Sequence, residues 1–203
     1  MVVSTVTGTD DVLLQESAAA GGPANDEGDD KGGALSTLAS RPTLVECGAQ
    51  RYLIMDAPRD ENLHIYLKAC KQARITDLVR VCAEQTYAVA SVEAAGLRMH
   101  EMPFADGECP QPEVVDEFLR LVKKTVTQNA NGANAGVAVH CVAGLGRAPL
   151  LVAIALIELG KMDALEAVEY IRVHRRGAIN ARQLTFLQQY APKRSRGCSC
   201  SVS

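Results

Sequence analysis

The stretch from Gly136 to Leu159 constrains the fold of this 203-residue chain more than any other. Gly136-Val137-Ala138-Val139-His140 reads as a central strand, because every position before the histidine is small or β-branched. Residues 146–159 read as a buried, mainly aliphatic helix that stops at Gly160. Between them lies only the run His140-Cys141-Val142-Ala143-Gly144-Leu145-Gly146-Arg147. A strand that feeds a buried helix through so short a connection belongs in a sheet covered by helices.

The connection itself carries chemistry. Successive backbone N–H groups in a tight loop form a nest for anions, and the following helix adds its positive N-terminal end. Gly144 and Gly146 permit the backbone angles and close approach that such a cradle needs. Val142, Ala143 and Leu145 fill the other loop positions. A cysteine in that field is favoured as the thiolate, which can attack phosphorus. Arg147 offers a planar fork for two phosphoryl oxygens, and a cation is poorly placed at a helix start unless an anion faces it. Cys141 is therefore the candidate nucleophile, and residues 142–147 are the candidate phosphate-binding loop. For His140 two readings stand open: a backbone hydrogen bond near the loop that tunes the thiolate, or a structural role. A leaving oxygen also needs a proton, so a carboxylic acid should reach the site from another loop. Asp106, bracketed by Pro103 and Gly107, is the candidate. Taken alone it reads equally well as a turn residue.

The rest of the chain supplies matching elements. Residues 43–47 and 52–55 read as short strands around Gly48-Ala49-Gln50. Residues 61–73 read as a helix, 75–82 as an apolar strand and 97–102 as another strand. Pro112 opens a helix to about Thr127, followed by a Gly/Asn/Ala loop over 129–136. Asp163 with Glu166 and Asn180 with Gln183 read as capping boxes for helices through about His174 and Tyr190. The expected architecture is α/β, a central and mainly parallel sheet flanked by helices.

Composition separates three regions. Residues 1–40 hold seven acids and one base, a net charge of −6, and 21–30 have the composition of a disordered segment. The whole chain carries −3, which argues against a nucleic-acid footprint; the remainder carries +3, a mildly basic domain that fits an anionic substrate or surface. Residues 41–192 form the domain, and 193–203 form a basic tail. The seven cysteines make no disulfide framework. With no Arg/Lys-led apolar leader and no run near the roughly 20 apolar residues of a membrane span, a reducing, cytosolic compartment is expected. No metal or cofactor is called for.

From about Arg41 onward the chain resembles the phosphatases of regenerating liver, the PRL or protein tyrosine phosphatase type IVA family. The resemblance rests on 137–149, with Ala148 where most cysteine phosphatases have Ser or Thr. It rests also on Val79-Arg80-Val81-Cys82, Pro103-Phe104, Asp106-Gly107 and Arg175-Arg176-Gly177-Ala178. It implies the cysteine-phosphatase fold, with Cys141 as nucleophile, Arg147 as phosphate binder and Asp106 as general acid. It also implies that Cys82 forms a reversible disulfide with Cys141, an oxidation switch; without the resemblance Cys82 reads as an inert strand end. Two positions depart from the family on the acid loop, Met102 in place of Trp and Ala105 in place of an acid. Lacking a hydroxyl at 148, the enzyme is expected to release phosphate slowly.

The chain ends Cys200-Ser201-Val202-Ser203, a loose prenylation box in which the terminal Ser favours farnesyl on Cys200. Lys193-Arg194-Ser195-Arg196 supplies a basic second signal, and Cys198 is open to palmitoylation or to no role. The expected location is the cytosolic face of plasma or endosomal membranes. The expected substrate is a phosphotyrosine protein or a phosphoinositide; homo-oligomerisation stays open. The alternative is a low-activity pseudo-phosphatase that binds a CNNM-type magnesium-transport protein, with Arg175-Arg176-Gly177 bordering that face. A rhodanese-like sulfurtransferase would also use a loop cysteine, but it would not need Asp106.

Overall fold

The computed structural model describes residues 40–193. The leader up to residue 39, the tail from Arg194, Cys198 and the Cys200 box lie outside the described residues. Five strands form one sheet in the order β1-β2-β5-β3-β4. β1 (Thr43–Cys47) and β2 (Gln50–Met55) make an antiparallel hairpin, turned at Gly48 with φ +57°. β3 (Ile75–Arg80), β4 (Arg98–Glu101) and β5 (Gly136–His140) add in parallel. The sheet is mixed, with one antiparallel edge strand, in agreement with the expected α/β class. β5 lies at the centre with all five residues buried.

Alternation along the strands sorts side chains into two cores. Tyr52, Ile54, Val79, Val137 and Val139 face α3 (Pro112–Ala130), α4 (Arg147–Gly160), α5 (Ala164–His174) and α6 (Ala181–Gln189). Leu53, Met55, Leu78 and Ala138 face α1 (Leu63–Gln72) and α2 (Val89–Ala94). α4 is buried continuously from Arg147 to Ile157 because sheet, α3, α5 and α6 surround it. That explains its nearly uniform apolar sequence.

Several expectations shift. α3 continues to Ala130, so the following loop shortens to 131–135; the Asn129 amide donates to Ala49 O and Ala135 O and pins it (both 2.8 Å). α2 was not expected. Gly160 does not serve as the left-handed stop of α4: Lys161 takes that conformation, with φ +60°. Gly160 instead packs closely, since a Cβ there would lie 3.3 Å from Cys47 Sγ. Both capping boxes are present as expected.

β3, read from sequence as an apolar strand, buries two charges. Asp77 is matched on β4 by Arg98 (2.6 and 2.8 Å) and His100 (2.8 Å), and Arg80 by Glu101. Burial alone would raise the Asp77 carboxyl, but bonds from Arg98, Thr76 and His100 outweigh it and hold the pKa below the usual carboxylate value. A depressed folded-state pKa contributes stability above the unfolded value of about 3.9, lost as pH falls through the folded value. Denaturant melts from pH 6 to pH 2.5 should show wild-type stability falling below about pH 4. Asp77→Asn should be less stable at pH 6 and show a shallower acid decline; an unchanged acid limb would exclude this pairing as its source.

Candidate active site

Residues 141–146 leave the end of β5 and turn back into α4. Their shape is set from outside. Ala57 N–H donates to Val142 O (3.0 Å) and Ile179 N–H to Leu145 O (2.8 Å). Arg175 Nε donates to Gly144 O (2.6 Å). A trans peptide points its N–H opposite to its C=O. Outward carbonyls at 142, 144 and 145 therefore turn the N–H groups of Ala143, Leu145 and Gly146 inward. None of these three has a backbone acceptor among the described residues. The Gly144 N–H already serves the nucleophile candidate, donating to Cys141 Sγ at 3.2 Å.

Gly144 has φ +68°, and a Cβ there would lie 2.5 Å from both Met55 O and Arg175 Nη2. Glycine is thus required twice over, by conformation and by space. Gly146 backs onto Gln183, whose Nε2 is buried without a hydrogen-bond partner among the described residues.

Arg147 opens α4 and is only 4% exposed. Its Nη1 donates to Phe104 O (3.1 Å), which ties it to the acid loop. Asp106 Oδ1 lies 3.0 Å from Arg147 Nε, an ion pair whose angle makes no hydrogen bond, so Nε keeps an open donor. The Asp106 side chain is 81% exposed. A turn from Ala105 to Glu108 closes the acid loop, with Gly107 at φ +72°. Glu108 is clamped to Arg182 on α6 by two hydrogen bonds (2.9 and 2.8 Å). Met102 lies buried at the base of the loop, while Ala105 faces solvent.

His140 is fully buried, and burial pushes its pKa down to about 4, with Arg80 adding to the effect and its backbone bond opposing it. The ring is therefore neutral near pH 7 and carries one N–H. Cys141 O can only accept, so Nδ1 bears the proton and donates to it (3.4 Å). Nε2 then accepts from the Tyr87 hydroxyl at 2.6 Å, which burial keeps protonated. Of the two readings of His140, the backbone bond near the loop is present.

Cys82 follows β3 as Cys141 follows β5, and Arg80 pairs in register with His140. Both thiols are free and buried. Burial pushes the Cys82 thiol up, opposed by Arg147, with Glu84 and Cys141 adding. A cleft of about 740 Å³ opens beside Val142, between Ala57, Arg59, Tyr66 and Thr86. Among the described residues no three His, Cys, Asp or Glu side chains gather as a metal site, and no helix is long and apolar enough to cross a membrane.

The structure thus brings Cys141, Arg147, Asp106 and Cys82 to one end of the sheet. Arg175 is not a border of the exposed face: it is 5% exposed and holds the loop from beneath. The support from Tyr87, Arg182 and Gln183 was missed. Only the Asn180–Gln183 capping box signalled one of the three.

Replacing Gly144 by Ala should weaken binding of inorganic phosphate or vanadate to the loop, measured by calorimetry, about tenfold or more, from backbone strain of about 1–3 kcal/mol plus two overlaps. Wild-type affinity in the variant would show that the loop is not held as described.

Known proteins share this sequence and fold. A family model described as "Polymorphic toxin system, DSP-PTPase phosphatase" matches residues 47–161. The chain is 47% identical over 157 residues to the PRL-1 phosphatase of Drosophila melanogaster, covering 77% of this chain and 86% of that protein. It is 45% identical over 156 residues to protein tyrosine phosphatase type IVA 2 of Mus musculus, covering 76% and 90%. A solved protein tyrosine phosphatase from Leishmania major superposes with a TM-score of 0.68 at 37% identity, covering 75% of this chain and 99% of that one. The outward-tied loop, its cysteine and its arginine lie within all of this shared sequence, and the chain belongs to the protein tyrosine phosphatase type IVA, or PRL, family.

Proposed function

We propose that the chain hydrolyses phosphate monoesters of phosphotyrosine proteins through a phosphocysteine on Cys141. The observation that carries this reading is the Gly144 N–H on Cys141 Sγ inside a loop whose neighbouring N–H groups face inward. The thiolate attacks phosphorus; the S–P bond forms as the P–O bond to the leaving group breaks. Arg147 grips two phosphoryl oxygens as charge builds on them. Asp106 gives its proton to the leaving oxygen, then takes one from the water that cleaves the S–P bond. Binding displaces Asp106 from Arg147 Nε, since the phosphoryl group takes that edge of the guanidinium. The cleft beside Val142 has room for the residues around a phosphotyrosine; a phosphoinositide headgroup is the competing substrate.

The second step is slow in this reading. A hydroxyl at position 148 would stabilise the departing thiolate, and Ala148 has none. The residue is completely buried, so bulk water does not take the place of the missing group. Asp106→Ala should lower kcat on a phosphotyrosine peptide about a hundredfold or more, and Cys141→Ser should abolish turnover. Ala148→Ser should shorten the life of the phosphocysteine and raise kcat, read by rapid quench. If neither the intermediate nor turnover responds to that change, slow release has another origin.

A second reading is favoured by Val142 and Leu145, which remain 49% and 39% exposed at the mouth of the cradle. These apolar rims suit capture of a protein partner, of which a CNNM-type transporter is the candidate implied by the family. Asp106→Ala separates the two roles when phosphate release and partner pull-down are scored independently.

Sequence alone supports attachment to the cytosolic face of plasma or endosomal membranes through farnesyl on Cys200. Intact mass of the chain from eukaryotic cells should show one farnesyl, removed in Cys200→Ser; an unmodified mass in wild type would end this proposal. The Cys82–Cys141 oxidation switch is retained as a proposal, supported by their positions after paired strands.

A further inference from the structure

Arg175 spends its guanidinium in an unusual direction. Its Nε holds Gly144 O (2.6 Å), and its other two nitrogens, with Nη2 close against Gly144, reach the start of the domain. Nη1 donates to Arg41 O and to Thr43 Oγ1, both at 2.9 Å, and Nη2 to Ser40 Oγ at 2.6 Å. All four acceptors are neutral oxygens. The side chain is 5% exposed, and its charge interacts with Asp56 and Cys141 across the loop. One planar group therefore joins two segments more than a hundred residues apart in sequence. A guanidinium is rigid: fixing Nη1 and Nη2 fixes where Nε–H points. With Nε–H fixed, Gly144 O and the peptide that follows it are fixed too, and the Leu145 N–H faces the anion.

We infer that residues 40–43 form a positioning strap, acting through Arg175, that sets the phosphate loop for catalysis. The strap touches neither substrate nor Cys141. Its two hydroxyls hold the guanidinium at the angle that keeps the Gly144 carbonyl outward. Thr43 is the first residue of β1 and pairs with Ile54, so one end of the strap is anchored in the sheet. Ser40 lies at its outer end, partly exposed. The stretch that joins the leader to the domain thereby reports to the nucleophile. Changes at Ser40 alter chemistry at Cys141 without occupying the site.

The inference rests on Cys141 as nucleophile, and the experiment separates the two. In the full chain, Ser40→Ala with Thr43→Val should lower kcat on a phosphotyrosine peptide about three- to tenfold, the effect of weakened hydrogen bonds, with KM changed less than about twofold. The pH midpoint for alkylation of Cys141 by iodoacetamide should move up in the same variant. Ser40→Thr with Thr43→Ser keeps both hydroxyls and should recover most of kcat, which a loss of packing alone would not. Arg175→Lys keeps the charge but loses the fork, and should cost more than the double change. Wild-type kcat and alkylation profile in Ser40→Ala/Thr43→Val overturns the strap, and so does a loss that the conservative pair fails to recover. Should the hydroxyl-free pair not fold, Ser40→Ala alone decides by the same two readouts. Turnover in a Cys141→Ser control would instead sink the nucleophile assignment.

Discussion

The carbonyl oxygens of Val142, Gly144 and Leu145 point out of the loop because Ala57, Arg175 and Ile179 hold them there. Backbone left to itself would pair such groups with water or with each other. Held outward, they turn the intervening N–H groups toward one point, and an array of partial positive charges results without any side chain at its centre. The helix that starts at Arg147 adds to it. Cys141, the inward N–H groups and the Arg147 fork then address the same volume. Their alignment is a property of the tied backbone more than of the side chains themselves.

Supports for that backbone come from every part of the domain. Ala57 follows β2, Arg175 ends α5, Ile179 precedes α6, and the neutral His140 fixes the carbonyl where the loop begins. The acid loop is secured separately, by Glu108 on Arg182 and by Phe104 O on Arg147. Arg147 therefore joins two parts of the proposed mechanism: the arginine assigned to the phosphoryl group also keeps the acid loop near. Asp106 remains mostly in solvent, which suits the proton exchange proposed for it.

The parts legible in the sequence were those with a local signature. The strand and helix around Cys141 follow from a short apolar run and a long one. Asp163–Glu166 and Asn180–Gln183 announce helix starts by a spacing of three. Positive φ at Gly144 follows from the needs of an anion loop. What stayed hidden depends on pairs distant in sequence. Arg182 meets Glu108 across 74 residues, and nothing beside either predicts it. Asp77 and Arg80 are buried in a strand that local pattern makes apolar, because their counter-charges sit on β4. Gly160 looked like a helix stop and is a contact with Cys47. Arg175 looked like a border of the partner-binding face; it is buried, with its fork on residues 40–43.

β5 is the central strand, yet it has neighbours only once β2 and β3 stand on either side of it. Its loop is held by groups spread from Ser40 to Ile179. Long-range closures of this kind come late in folding, since their chain entropy is lost before the contacts form. During synthesis the thiol of Cys141 emerges well before α5 and the turn at Ile179. For that interval it is an ordinary cysteine at the end of an unfinished sheet. The newborn chain thus gains its anion cradle only when nearly all of the domain has left the ribosome, so a half-made protein offers a phosphate no place to dock.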